Sequence, residues 1–422
     1  MIDLNRIVED KEKAKKALLK RVPEEKLDLD LIIELYNKRK QLQTEFDSKK
    51  GEQNTYNQQM SQLSKDSQEF KSLVEQLKDK SNEIKAIEEN LRSTQEELTK
   101  LVEVLPNFPD EDVVEGEKEN NKILKSFGEK PKFDFPIKDH LEIGENLGIF
   151  DFQTASKMSG ASFSMYRGKG AQLEWALINY FIDEHLKDGY EMILPPHIVN
   201  SDSAYTAGQL PKFKDDVYWV SEDQCLIPTA ETVLTNIYRD SILEERDLPK
   251  KFFAYTPSYR KEAGSYRTNE RGLIRVHQFN KVEMYQFTTP SQADESFEEL
   301  TVKAERLVEG LGLHYNRVQL AAGDCSAGAA RTVDIEVWMP AIAQYYEVSS
   351  VSNDRDYQAR RGNMRYKPSD GGKPLFMNTL NASGLATSRL MVSLIETYQQ
   401  ADGSVVVPDV LQKYTGFDKI EK

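Results

Sequence analysis

Three kinds of side chain suited to a nucleotide fall between residues 260 and 283: the guanidinium groups of Arg260 and Arg275, the ring of Phe279, and the carboxylates of Glu262 and Glu283. Arginine suits a polyphosphate because its planar fork donates two parallel hydrogen bonds and its charge does not titrate away. An exposed aromatic ring on the same surface could stack a purine. The stretch reads Tyr259-Arg260-Lys261-Glu262-Ala263-Gly264, then Arg271-Gly272-Leu273-Ile274-Arg275-Val276-His277-Gln278-Phe279, then Lys281-Val282-Glu283. Strand alternation puts Arg260 and Glu262 on one face, and Arg275, His277 and Phe279 on one face of a second strand. The glycine- and polar-rich segment between them is the expected loop. The same residues also fit a surface strand pair held by cross-strand ion pairs, and at this level both readings stand. The sequence contains no Gly-x-x-x-x-Gly-Lys-Ser/Thr, no Gly-x-Gly-x-x-Gly and no His-Glu-x-x-His. Phosphates would have to be held by side chains and not by a glycine cradle.

These residues need a rigid support, and the chain falls into parts that could supply one. Phe70, Leu77, Ile84, Leu91, Leu98 and Leu105 recur every seven residues, with Leu73, Ile87 and Leu101 at the companion positions. Upstream, Leu35, Leu42, Tyr56 and Leu63 keep the same period with Phe46 and Met60 alongside, and Lys49 is the exception. A sustained heptad means helices that supercoil about an apolar seam. The polar run Ser64-Lys65-Asp66-Ser67-Gln68 is the expected turn of an antiparallel hairpin, roughly 45 Å long at about 1.5 Å per residue. A coiled coil between two chains fits the periodicity as well. Lys38, Arg39, Lys40, Lys49, Lys50 and Lys65 make the first arm basic against Glu45, Asp47 and Glu52, as either an RNA-facing stripe or a solvated face would be.

The expected division is an arm over 1–105, a linker over 106–130 that opens Pro106-Asn107-Phe108-Pro109 and turns acidic, and a larger domain over 131–422. In that domain short β-rich runs, such as 252–255 and 332–338, alternate with helices expected over 170–185, 291–310 and 383–398. That pattern lacks regular βαβ spacing and predicts an α+β fold with a mostly antiparallel sheet flanked by helices.

Composition narrows the classes further. The net charge of −14 argues against a chain that coats nucleic acid, yet leaves room for a local basic stripe. No apolar run reaches the roughly 18 residues of a membrane span, and residues 1–20 lack an apolar signal core. Two cysteines, Cys225 and Cys325, have no metal-ligand spacing, so no structural zinc is expected and a reducing, cytoplasmic compartment is.

Taken in order, the motifs carry a resemblance. Arg260-x-Glu262, the glycine-bearing loop and Arg275-x-x-x-Phe279 resemble the second motif of class II aminoacyl-tRNA synthetases. Gly384-Leu385-Ala386-Thr387-Ser388-Arg389 resembles the third and Gly189-Tyr190-Glu191-Met192-Ile193-Leu194-Pro195-Pro196 the first. The fuller strings are similar to bacterial-type seryl-tRNA synthetases: Thr229-Ala230-Glu231, Glu347-Val348-Ser349-Ser350-Val351-Ser352-Asn353, Tyr357-Gln358-Ala359-Arg360-Arg361 and Gln399-Gln400-Ala401-Asp402-Gly403-Ser404. The resemblance spans the whole chain, including the hairpin and the closing Pro408-x-Val410-Leu411.

It implies a serine–tRNA ligase using ATP and Mg2+, with Arg260 and Arg389 as the catalytic arginines. Arg260 would neutralise the α-phosphate as the serine carboxylate attacks, Arg275 would hold the outer phosphates, and Phe279 and Arg389 would sandwich the purine. Glu262 would sit by the adenine, with Lys261, Val348 and Ser349 also in the ATP site. Glu347 and Ser350 would bind magnesium, a hard cation that takes oxygen ligands. Serine would fall to Thr229, Ala230, Glu231, Arg260, Glu283, Asn381 and Ser383. A carboxylate nucleophile arrives ionised, so no histidine base is needed and His277 is structural. The implied partners are L-serine, tRNA(Ser), the selenocysteine tRNA where the source has one, and a second copy in a homodimer whose hairpin reaches a tRNA's long variable arm. The alternatives, an adenylating enzyme with a non-tRNA acceptor and an inactive RNA-binding paralogue, should have lost the hairpin or the charged residues, and neither is lost here. Departures from the common pattern are Gly323-Asp324-Cys325-Ser326-Ala327-Gly328, Lys261, Val351 and Thr387-Ser388. None removes a charged or aromatic residue named above, which reads as subtype variation.

Overall fold

The computed structural model describes residues 1–262 and 271–422, in two compact units, residues 2–106 and 107–422. In the first, two short helices, Leu4–Glu9 and Lys11–Leu19, precede a hairpin of α1 (Leu29–Ser61) and α2 (Gln68–Val102). Asp28 caps α1 by accepting from Leu31 N at 3.1 Å, and Ser67 caps α2 by accepting from Phe70 N at 3.1 Å. Each cap satisfies a backbone donor that the first helical turn leaves without a partner. The chain reverses between Ser61 and Gln68, across the predicted polar turn. The apolar seam is buried at Ile32, Leu35, Ile84, Ile87 and Leu98, among others. Lys49, the break in the heptad, is answered across the hairpin: its Nζ lies 2.9 Å from Glu83 Oε1, and Lys80 pairs with Glu52 nearby.

In the second unit an eight-stranded sheet carries the fold. Its strands are β1 (Lys122–Phe127), β2 (Glu191–Ile193), β3 (Lys250–Tyr259), β4 (Gln278–Thr288), β5 (Tyr315–Gln319), β6 (Arg331–Met339), β7 (Gln344–Arg355) and β8 (Asn378–Ala386). The spatial order is β1-β5-β6-β7-β8-β4-β3-β2, antiparallel at each step except β2 with β3. The predicted α+β class and mostly antiparallel sheet are what the structure has. Helices α3 (Gly168–Lys187), α4 (Ala293–Gly310) and α5 (Thr387–Thr397) bury Phe181, Leu300, Leu307, Leu390 and Ile395 in one core with Val282, Met284, Ile335 and Leu380 of the sheet. At about 1.5–3 kcal/mol for each large apolar side chain, that core fixes the strands whose opposite faces carry the polar groups described below.

Two sequence expectations are corrected. The segment read as linker, 106–130, is structured within this unit from residue 107. Asn107 Nδ2 donates to Gly328 O at 2.9 Å and to Asp354 O at 2.8 Å, and β1 pairs with β5 along the sheet edge. The acidic flanks hid this strand because its stability comes from backbone pairing and from Phe127 stacked on Tyr315 at 5.5 Å, with no apolar alternation to show it. The helix expected over 383–398 begins only at Thr387, because residues up to Ala386 still pair with β4. Gly384 lets α3 pack closely on this strand: a Cβ there would lie 2.4 Å from His185 Nε2.

Candidate active site

The sheet's central strands β7, β8 and β4 build the floor of a cavity of about 520 Å³. Alternation explains the floor: Leu380 and Ala382 of β8 point into the core, so Asn381 and Ser383 point the other way and line the cavity. On β4, Val282 and Met284 are core residues, and Lys281 lines the cavity. On β7 alternation alone would separate Glu347 from Ser350. The pairing with β6 shifts between Glu347 and Ser349, a bulge that brings Glu347 and Ser350 to the cavity together.

A second, narrower cavity of about 60 Å³ adjoins it, and Arg260, Glu262, Arg275, Lys281, Glu347 and Ser383 line both. Phe279 and Arg389 border only the narrower one. Arg260, Arg275 and Arg389 therefore converge on one space from three parts of the chain. Arg389 Nε donates to Ile274 O at 3.1 Å and its Nη1 reaches Glu347 Oε2 at 3.1 Å. Arg275 pairs with Glu262, and the Arg260 guanidinium lies 5.2 Å from the Phe279 ring centre.

The strand geometry expected around these residues is only partly met. Arg260 and Glu262 lie beyond the end of β3, and Arg275 and His277 lie before the start of β4. Pairing runs on for one step, with Arg260 N donating to His277 O at 2.9 Å. Glu262 then adopts a φ of 51°, so strand alternation no longer sets its direction. The expected connecting loop, 263–270, lies outside the described residues.

Next to the floor is an acidic pocket. Thr229 and Glu231 line the larger cavity, and Glu283, only 1% exposed, accepts from Thr229 Oγ1 at 3.3 Å. Glu231 Oε1 accepts from Gln358 Nε2 at 2.7 Å and Asn381 Nδ2 at 3.2 Å. Burial, then the Glu283 charge, holds the Glu231 carboxyl above the usual carboxylate range, against the pull of Lys281 and Arg260. Burial also raises Asp334 and Glu336 on β6, with the Glu347 charge adding to both. Glu347 and Ser350 present a carboxylate and a hydroxyl to the cavity, the oxygen donors that a hard cation takes, so they fit the magnesium expectation. Among the described residues no group of three or more His, Cys, Asp or Glu has metal-binding geometry, which would leave most ligands of such an ion to phosphate and water.

Some expected site residues sit elsewhere. Val348 and Ala230 are buried in apolar clusters, and Ser349 donates its hydroxyl to Ser383 O at 2.5 Å. Lys261 is exposed, with its ammonium 5.8 Å from the Tyr218 ring centre. None of the four lines either cavity, which leaves main-chain atoms as what Ala230, Val348 and Ser349 can offer. Lys281, Ser352 and Ser326 line the larger cavity without having been singled out. Lys281 could have been found, since it shares a strand face with Glu283. Ser326 belongs to the departing segment 323–328, so that departure reaches the cavity wall.

Comparison with known proteins gives this geometry a class. Residues 214–398 match the family model for the class II tRNA synthetase core domain (G, H, P, S and T), a span that includes all the lining of the narrower cavity and most of that of the larger. Residues 1–109 match the seryl-tRNA synthetase N-terminal domain. The chain is 51% identical over 427 residues to serine–tRNA ligase 2 of Clostridium acetobutylicum, covering all of both chains. Among solved structures it resembles the Pyrococcus horikoshii seryl-tRNA synthetase complexed with ATP, with a TM-score of 0.90, 31% identity and coverage of 100% and 99%. It also resembles the Naegleria fowleri cytoplasmic serine–tRNA ligase in complex with AMP, with a TM-score of 0.85, 26% identity and coverage of 99% and 98%. The chain belongs to the seryl-tRNA synthetase family.

Proposed function

We propose that the chain activates L-serine with ATP and transfers the seryl group to the 3′ end of tRNA(Ser), and to the selenocysteine tRNA where the source has one. The observation that carries this reading is the shared wall of the two cavities, which links three arginines to the acidic pocket at Thr229 and Glu231. In the first step a serine carboxylate oxygen attacks the α-phosphorus, a P–O bond breaks, and pyrophosphate leaves. Arg260 stands where charge builds on the α-phosphate, Arg275 holds the outer phosphates, and Phe279 and Arg389 take the purine. Magnesium, when bound at Glu347 and Ser350, supplies positive charge against the phosphate oxygens. In the second step a ribose hydroxyl of the tRNA attacks the seryl carbonyl and AMP leaves.

The serine site draws on Thr229, Glu231, Glu283, Asn381 and Ser383. Their polar groups favour a substrate with a hydroxyl, because alanine would leave buried partners unpaired. The arm supports a tRNA partner: Lys38, Lys40, Lys50 and Lys65 are exposed, whereas Lys49 is engaged with Glu83 and Arg39 donates to Gln95 Oε1 at 3.3 Å. A homodimer is supported by apolar exposure in and near the first motif, with Trp175 at 54% and Leu194 at 77%. No helix among the described residues is long and apolar enough to cross a membrane, in keeping with a cytoplasmic enzyme.

The test is ATP–pyrophosphate exchange driven by serine, beside alanine and threonine, followed by charging of tRNA(Ser). Serine should drive exchange at least about 100-fold better than alanine, the scale set by leaving a buried polar group unpaired, and Arg260→Ala should abolish it. Exchange that ignores which amino acid is present, or that survives Arg260→Ala, would overturn the reading.

A further inference from the structure

The buried ammonium of Lys281 has no role in the reaction as described. It is 5% exposed and lines both cavities. Lysine is almost never buried unless paired, and here the pairing is specific. Nζ donates to Thr229 Oγ1 at 2.7 Å and forms an ion pair with Glu283.

That geometry fixes the Thr229 hydroxyl completely. Oγ1 accepts from Lys281 Nζ and from Glu231 N, the latter at 3.2 Å, and donates to Glu283 Oε2 at 3.3 Å. A hydroxyl has one proton and two lone pairs, so all its capacity is used. Glu283 is turned inward by the same contacts, and Glu231 is left as the cavity-lining carboxylate beside them. The charged and titratable groups around this cluster are Glu231 on the short helix Glu231–Leu234, Lys281, Glu283 and Tyr285 on β4, Arg260 beyond β3, and Asp354 on β7, which Asn381 Nδ2 contacts at 3.2 Å. Lys281 and Arg260 both oppose the upward push that burial and Glu283 exert on the Glu231 carboxyl.

We propose that Lys281 is a positioning residue for the amino-acid substrate: it locks Thr229 and Glu283 in place and balances the pocket so that Glu231 can meet the substrate ammonium. This rests on reading the acidic pocket as the serine site. Serine-driven ATP–pyrophosphate exchange by the full chain tests it across pH. Lys281→Met should raise the serine KM tenfold or more and move the ATP KM less than threefold. The acid limb of kcat/KM for serine should shift to higher pH, because carboxylates without their cation are harder to ionise. Lys281→Arg, which restores the charge, should return the limb to its wild-type position. A Met variant with an unchanged serine KM, or with serine and ATP KM rising together at a fixed limb, would overturn the inference. So would an Arg variant with a displaced limb, which decides the matter should the Met variant not fold. Wild-type chain that shows no serine-driven exchange would instead sink the reading of the site itself.

Discussion

Glu174 shows how far a single residue can be argued from its surroundings. It is buried on α3, where its Oε1 accepts from Asn280 Nδ2 at 2.8 Å and from the Thr387 hydroxyl at the start of α5. Thr387 Oγ1 also lies 3.1 Å from Asn280 O, so one hydroxyl proton faces two acceptors, and protonation of Glu174 supplies the second proton. Burial accordingly pushes its carboxyl from 4.5 up to about 7 against those hydrogen bonds. The folded value lies above the unfolded one, so the folded chain keeps a proton that the unfolded chain has released. Stability from this group is complete below pH 4.5 and declines as pH rises through 7, by about 3 kcal/mol in all. Glu174→Gln keeps the acceptor and removes the titration. Denaturant unfolding at pH 5 and pH 8 should show the variant gaining most of that difference on wild type at the higher pH, and parallel pH curves would refute the assignment. Nothing in the sequence marked Glu174, because a lone carboxylate on an apolar helix gives no hint of what will surround it. Arg260, Arg275 and Phe279 were singled out by residue type and spacing and Arg389 by its resemblance to the third class II motif, and the structure brings all four to one cavity.

At the scale of elements, the heptad in α1 and α2 was the clearest signal, because a seven-residue period has few other physical meanings. Lys49 broke it, and the break became intelligible only when Glu83 appeared opposite. The bulge in β7 was invisible: period-two alternation assigns Glu347 and Ser350 to opposite faces, and only the shifted pairing with β6 unites them. Ser383 was read as helical for a related reason, since an apolar run can continue from a buried strand into a helix without a break in composition. β1 escaped notice because edge pairing needs no hydrophobic signature. The hairpin carries none of the residues that line the cavities, so its contribution should be to tRNA alone. Deleting residues 30–100 should leave serine-driven exchange within a few-fold of wild type while tRNA charging falls by two orders of magnitude or more, in line with the loss of an RNA-contacting arm. Loss of exchange along with charging would contradict that separation.

For the molecule as a whole, the order of motifs along the chain was more informative than any one of them. The boundary between the two compact units falls at 106–107, a few residues after α2 ends at Val102. What the order could not convey was how residues more than a hundred positions apart close one space, since that depends on the strand order β7-β8-β4. The proposed reaction depends on that closure: one cavity system must hold a nucleotide at its arginines and an amino acid at its carboxylates. A crystal structure with a non-hydrolysable seryl-adenylate analogue examines it directly. The purine should lie against Phe279 and the Arg389 guanidinium, the phosphate mimic against Arg260, and the ammonium within hydrogen-bond reach of Glu231. An analogue bound with its purine away from Phe279 and Arg389, or with its amino-acid end outside the Thr229–Glu231 pocket, would contradict it.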